Sequence, residues 1–253
     1  MKKYLSVFGL YARSTLMKST LIIIGTCGIQ ALLLWLRYRK LSGEGACLIE
    51  ECVMNSGVQI VLLLAFLLLT ALLCIPGAAG GTRYTVERMR VSEKTAFALH
   101  AVTAMFTYFM LWAAQVCLFY AFAVWFVRTA SPAAGEQAIF LAFYRNDLMH
   151  SLLPLQTTEL WVRNVLFVVV MGLVAAETPL LARKKRYSYT VLPAAVLVIC
   201  FFVRGLTTQR NVILAAVMLA VALLKILFDF AVGEEDEPYE SPDEAVFAAG
   251  DAP

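Results

Sequence analysis

The sequence predicts an all-α membrane protein that crosses the bilayer about six times, with both chain ends in the cytoplasm. Hydrophobic residues make up 61% of the 253 residues and charged residues only 15%, whereas an ordinary soluble domain carries about 25% charged residues. The apolar residues also gather in runs close to the ~20 residues that a helix needs to cross the hydrocarbon layer. The bilayer is therefore the predicted solvent for most of the chain.

The predicted spans are separated by polar or basic clusters. They are residues 20–36, 57–76, 96–127, 164–182, 187–203 and 211–231. Leu, Ala and Val fill consecutive positions in these runs rather than alternating with polar residues, which favours helices over the strands of a membrane barrel. The third run is the longest, so its helix must tilt or extend beyond the hydrocarbon.

The N-terminus resembles a secretory signal because Lys2 and Lys3 precede an apolar run. It lacks the small-residue cleavage pattern, however, which favours a retained first helix. Two alternatives remain for the residues before that helix. They could form an amphipathic helix on the membrane surface or a disordered basic tail.

Basic residues retained on the cytoplasmic side set the orientation of membrane helices. With the N-terminus inside, the cytoplasmic segments hold more basic residues than the opposite side, and an even number of spans returns the C-terminus to the cytoplasm. We therefore predict a membrane domain over residues 1–233, with a cytoplasmic loop at 77–95 and an outer loop at 129–160. The basic residues at span ends indicate membrane lipids rather than nucleic acid as partners.

Residues 234–253 contain eight acidic residues and no basic one. Such a segment cannot bury enough apolar surface to offset its chain entropy, so we predict a disordered acidic tail in the cytoplasm.

Two of the six cysteines, Cys47 and Cys52, share the loop after the first span. The predicted topology places this loop outside the cytoplasm, where a disulfide can persist, so the pair either forms a bridge or stays reduced. The spacing does not match a metal site. We predict no metal and no cofactor.

The outer loop at 129–160 is not simply polar, because short apolar pieces lie on both sides of Tyr144–Asp147. These pieces are too short to span a membrane. They suit either interfacial or re-entrant helices, or a compact cap packed over the spans.

The loop between the second and third spans carries a charged segment, residues 80–94. Pro76 and the glycines after it end the second span, and Thr82 is suited to cap a short helix. Its candidate docking residues are Arg83, Tyr84, Glu87, Arg88, Arg90 and Glu93. This segment is either a docking surface for another protein or an ordinary basic loop at the ends of two spans.

With six spans in about 250 residues, a basic N-terminal segment and the stretch from Arg83 to Ser92, the chain resembles the small permease subunits of bacterial type-2 ABC exporters. The resemblance implies a coupling helix in this loop, a separate ABC ATPase subunit, a homodimer or heterodimer, and the bacterial cytoplasmic membrane. It departs from the family in placing its bulky outer segment after the third span. No G-x-x-x-x-G-K-[ST] phosphate-binding motif occurs in the chain.

Polar residues inside spans are candidates for function because burying them in lipid is costly. Glu177 lies near the cytoplasmic end of the fourth span, Lys225 and Asp229 are four residues apart on the last, and Gln115 lies within the third. No hydrolase motif accompanies them, so we do not expect an enzyme. The alternative to a permease is a non-transporting accessory or scaffold protein that works through its outer loop or acidic tail.

Overall fold

The structure, a computed structural model, describes residues 2–42, 49–54, 56–74, 92–130, 137–155, 158–183, 190–203 and 208–232. Every regular element within these ranges is an α-helix, which confirms the predicted all-α class. In chain order these helices are α1 (Lys2–Ser42), α2 (Ile49–Met54), α3 (Val58–Cys74), α4 (Glu93–Ala130), α5 (Gln137–Arg145), α6 (Asp147–Leu152), α7 (Thr158–Arg183), α8 (Val191–Val203) and α9 (Thr208–Val232).

Three helical segments in the described part of the chain are long and apolar enough to cross a membrane. They are Thr15–Ser42 in α1, Lys94–Thr129 in α4 and Thr158–Pro179 in α7. Two further apolar segments, Val58–Cys74 and Val212–Phe228, are shorter. This pattern is compatible with a membrane protein and matches three of the predicted spans in position, whereas the full set of six stays a prediction.

The first helix differs from both alternatives considered for the N-terminus. Residues 2–19 are helical and continue without a break into the first predicted span, so that α1 contains 41 residues and is about 60 Å long. The physical reason is local, because the first proline of the chain is Pro76 and proline is the residue that most strongly interrupts a helix.

The segment from α5 to Leu155, which we call the cap (residues 137–155), is compactly packed. Both of its helices contact α4, and α5 also contacts α2. Its buried apolar residues are Ala142, Phe143, Leu148, Met149 and Leu152. The described residues of this region pack compactly against their neighbours, and both alternatives, interfacial or re-entrant helices and a compact cap over the spans, stay open.

Apolar side chains lie on the outside of the helix bundle and several polar ones on the inside. Met17 is 80% exposed and Leu21 74% exposed on α1, whereas Gln30 on the same helix is fully buried and donates to the Val58 carbonyl at 3.4 Å. The Thr70 and Tyr108 hydroxyls, also buried, are 2.7 Å apart between α3 and α4. This distribution suits helices surrounded by lipid, whose interfaces use hydrogen bonds in place of a hydrophobic driving force.

Among the described helices, α4 and α7 pack against each other most extensively. At its centre Gly172 lies against Met105 and the backbone carbonyl of Ala101. A side chain at residue 172 would collide with Met105, so glycine permits this close approach.

The chain forms two compact units, Met1–Ala222 and Leu223–Pro253. The first contains α1 to α8 and the beginning of α9. In the second, the structure describes residues 223–232, which complete α9. The predicted acidic tail lies outside the described residues.

Candidate functional site: polar contacts at the two ends of α7

Arg163 lies in the second turn of α7 and is only 6% exposed. Its Nη2 group donates to the Ser151 carbonyl at 3.0 Å and to the Ser151 hydroxyl at 2.7 Å. It also contacts the side-chain oxygen of Asn164, with 2.8 Å from Nη2 and 3.1 Å from Nε. A buried guanidinium is costly unless its donors are satisfied, and here Ser151 and Asn164 supply the acceptors.

Local sequence explains why Ser151 is available to these donors. Asn146 caps α6 by accepting from the amides of Leu148 and Met149, both at 3.1 Å. The six-residue helix ends at Leu152, so Ser151 lies in its last turn, where the carbonyls have no partner within the helix. Arg163 supplies one donor for these carbonyls, and Asn164 Nδ2 donates to the same Ser151 oxygen at 2.9 Å.

The indole N–H groups of two tryptophans donate to carbonyls that come after Ser151 in the chain. Trp112 Nε1 on α4 donates to the Leu152 carbonyl at 2.9 Å, and Trp161 Nε1 on α7 donates to the Pro154 carbonyl at 2.7 Å. The two rings are edge to face at 5.6 Å. The end of α6 is thus held by side chains from both helices beneath the cap. We call Trp112, Ser151, Trp161, Arg163 and Asn164 the cap network.

A small cavity of about 30 Å³ adjoins the cap network, with Gln115, Arg163 and Phe167 in its wall. This volume is enough for one water molecule, which needs about 10–15 Å³. Gln115 is fully buried, and its Nε2 lies 3.8 Å from the Cys27 sulfur on α1. The predicted candidate Gln115 therefore connects α1 to the helix pair that supports the cap.

The other end of α7 carries the predicted candidate Glu177, which is fully buried. Its Oε2 accepts a hydrogen bond from the Thr190 hydroxyl at 2.6 Å. Thr190 immediately precedes α8 and its carbonyl accepts from the Ala194 amide at 3.1 Å, in the first turn of that helix. The carboxylate of Glu177 therefore joins α7 to the beginning of α8.

Residues next to Glu177 add a contact with α3. The Cys74 thiol lies 3.6 Å from the Thr178 hydroxyl, which donates to the Val174 carbonyl of its own helix at 3.1 Å. Pro179 follows within the helix. The last part of α7 thus has polar contacts with two neighbouring helices, as the first part has with the cap.

Most of the other predicted residues have side chains outside the described set. Arg83, Tyr84, Glu87, Arg88 and Arg90 lie outside the described residues, as does Cys47. Glu93 begins α4 and Asp229 lies in α9, but their side chains are outside the described set. Lys225 is half-buried in the second unit, and Cys52 is buried in α2. The proposed Cys47–Cys52 bridge stays a prediction.

Sequence reasoning missed most of the cap network. In the sequence Arg163 is one of several basic residues at span ends, and neither Ser151 nor Asn164 belongs to a recognisable motif. One local signal was present, because Asn146 followed by Asp147 is typical of a helix start. The partners of Arg163 lie on another element, so its role required the tertiary structure.

No family model, curated protein or solved structure matches this chain. In the described ranges, no three His, Cys, Asp or Glu side chains are grouped as a metal site would require. The cap network consists of hydrogen-bond donors and acceptors that tie elements together, and the Glu177–Thr190 pair does the same at the other end of α7. Both sets of contacts hold helices in position.

Proposed function

We propose that this chain is the membrane-spanning permease subunit of a bacterial ABC exporter and works with a separate ATPase subunit. The observation that carries the proposal is the position of α7, which has a buried polar attachment near each end. Residues 163 and 177 are about 21 Å apart along the helix axis. A helix attached in this way can transmit a movement from one side of a membrane to the other.

The proposed topology has six spans, α1, α3, α4, α7, α8 and α9, with the N- and C-termini in the cytoplasm. The 17 residues of α3 cover about 26 Å and the 13 residues of α8 about 20 Å, both less than the ~30 Å of hydrocarbon. Local thinning of the bilayer accommodates short spans at modest cost. In this arrangement the cap and Arg163 lie outside, and Glu177 lies on the cytoplasmic side.

Residues 80–94 would then dock on the ATPase. They lead directly into α4, which begins at Glu93 and packs along α7. A displacement of the docking segment would pass to α4, and through the Gly172 contact to α7. Because α7 is bonded to α8 through Glu177 and to the cap through Arg163, its movement would alter both faces of the bundle, as alternating access requires.

Co-purification of an ATPase with this protein tests the proposal. The tagged full-length protein is purified from its native membrane in mild detergent, and bound proteins and ATPase activity are measured. We expect a stoichiometric ATPase carrying a phosphate-binding loop, and its loss in the double variant Arg88→Glu, Arg90→Glu. Arg210→Glu serves as the charge-reversal control, since Arg210 is exposed at the beginning of α9 on the opposite side in the proposed topology. Unchanged association and transport in the double variant would refute the docking role.

The accessory or scaffold function is a second candidate, and the cap favours it. A folded cap held by four side chains from α4 and α7 is a suitable rigid surface for a partner outside the membrane. Two variants distinguish the two candidate functions. One lacks residues 234–253, and the other, Arg163→Met, disrupts the cap. A scaffold loses its partner in one of these variants, whereas a permease retains its ATPase in both.

A further inference from the structure

A second, larger cavity lies between α4 and the cap. It has a volume of about 530 Å³, within the ~300–1,000 Å³ range of small-molecule sites. The side chains that line it are Tyr120, Val124, Val127, Arg128, Ile139, Phe140, Phe143, Leu153 and Leu155. We call this cavity the cap groove.

The side chains that line the cap groove are mostly apolar. Phe143 and Val127 form a buried part of it, at 3% and 8% exposed, whereas Phe140 and Tyr120 at its rim are 58% and 55% exposed. Large apolar side chains around an open groove are unfavourable in water. The groove therefore suits an apolar chain that covers these surfaces.

Arg128 is the one charged side chain among the described residues that line the groove. It is exposed and lies in the last turn of α4. The apolar segment that could cross a membrane ends next to it, at Thr129, so its guanidinium falls near the level of the lipid headgroups. Arginine binds phosphate with charge-assisted, often bidentate hydrogen bonds.

We propose that the cap groove binds an anionic phospholipid, with an acyl chain along Val124, Ile139 and Phe143 and the phosphate on Arg128. The combination of one cation with a mostly apolar groove at the end of a membrane helix matches this ligand. A zwitterionic lipid fits less well, because its own cation competes with the phosphate for the guanidinium. The inference does not rest on the proposed transport function.

Lipid titration monitored by native mass spectrometry tests the proposal. The full-length protein, stripped of lipid in nonionic detergent, is titrated with phosphatidylglycerol and with phosphatidylcholine carrying the same acyl chains. We expect saturable binding of one phosphatidylglycerol and at least tenfold weaker binding of phosphatidylcholine. Equal affinities, or no saturable binding, would overturn the assignment.

Three variants separate the contributions of charge and groove. Arg128→Gln is expected to weaken phosphatidylglycerol binding about tenfold, as the loss of a hydrogen bond to a charged group predicts. Val124→Trp fills the groove and is expected to weaken binding at least as much. Arg145→Gln is the control, because Arg145 is an exposed arginine of the same cap that lies 3.9 Å from Glu50, and it should leave binding unchanged.

The remaining outcomes of this experiment also decide whether the cap groove binds a phospholipid. If Arg128→Gln reduces binding but Val124→Trp does not, the lipid binds to surface charge alone and the groove proposal fails. If Val124→Trp does not fold, Phe140→Ala, at the exposed rim, replaces it and should also weaken binding. If the native protein retains an amphiphile other than phospholipid, and both Arg128→Gln and Val124→Trp lose it, the phospholipid assignment is wrong and an export substrate becomes the occupant.

Discussion

Arg163 illustrates how a single buried side chain can depend on residues that are distant along the chain. Its side chain is only 6% exposed, and hydrogen bonds to Ser151 and Asn164 offset the cost of burying the charge. Lysine could keep the charge, but it presents donors from one point rather than from a planar fork. The geometry of the site therefore requires arginine specifically.

Substitution of Arg163 is expected to destabilise the protein. Arg163→Met should lower stability by several kcal/mol, because each hydrogen bond to a charged group contributes about 1.5–3 kcal/mol, and Arg163→Lys should recover only part of this. The measurement is the melting temperature in detergent. Arg145→Met is the control, since Arg145 is exposed and about 3.9 Å from Glu50, and such surface pairs contribute about 0–1 kcal/mol. Equal melting temperatures for Arg163→Met and Arg145→Met would contradict the prediction.

The Glu177–Thr190 hydrogen bond, at 2.6 Å, can be measured by a double-mutant cycle. Thr190→Val removes the donor, Glu177→Leu removes the acceptor, and we expect the two effects to be non-additive by about 0.5–3 kcal/mol, as for residues in direct contact. Thr190→Ser keeps the hydroxyl and should behave nearly like the wild type. Additive effects in thermal unfolding would mean that the pair does not couple α7 to α8.

At the scale of elements, the α4–α7 interface depends on a glycine. A Cβ atom at residue 172 would collide with the Met105 side chain and would lie 3.1 Å from the Met105 amide nitrogen and 3.3 Å from the Ala101 carbonyl oxygen. Backbone atoms cannot move aside as a flexible side chain can. The two helices would have to separate, and the Trp112 and Trp161 contacts that hold the cap come from this same pair.

Gly172→Ala is therefore expected to lower stability by about 1–3 kcal/mol, the usual cost of overpacking. This corresponds to roughly 2–4 °C in melting temperature for each kcal/mol in a chain of this size. Gly28→Ala is the matched control, because a Cβ on Gly28 in α1 would meet no atom within 4 Å. If Gly172→Ala and Gly28→Ala melt at the same temperature, the α4–α7 interface does not depend on glycine at residue 172.

At the scale of the whole molecule, the proposed topology places both termini in the cytoplasm. Green fluorescent protein fused to the C-terminus should fluoresce, because this protein does not mature after export in an unfolded state, while alkaline phosphatase at the same position should be inactive. The physical reason is an even number of spans together with the excess of basic residues on the cytoplasmic side. An active phosphatase and a dark fluorescent fusion would place the C-terminus outside the cytoplasm and refute the proposed topology.

The sequence alone determined the helical class and the positions of the long apolar segments. Both follow from local properties, since a hydrophobic run acts within one helix. It also marked Glu177 and Gln115, because a polar residue inside an apolar run stands out without knowledge of its neighbours. The single continuous helix from Lys2 to Ser42 was missed, because basic residues early in the chain indicated a boundary that the backbone does not have.

Only the tertiary structure decided what the polar residues contact. In the sequence Arg163 resembles any other basic residue at a span end. In the structure the Ser151 carbonyl of α6 lies 3.0 Å from its guanidinium. The same holds for Gly172, whose role depends on Met105 in another helix, and for the cap groove, whose walls come from α4 and the cap. Contacts between residues far apart in the chain depend on how whole helices pack, and no local pattern in a single sequence encodes that packing.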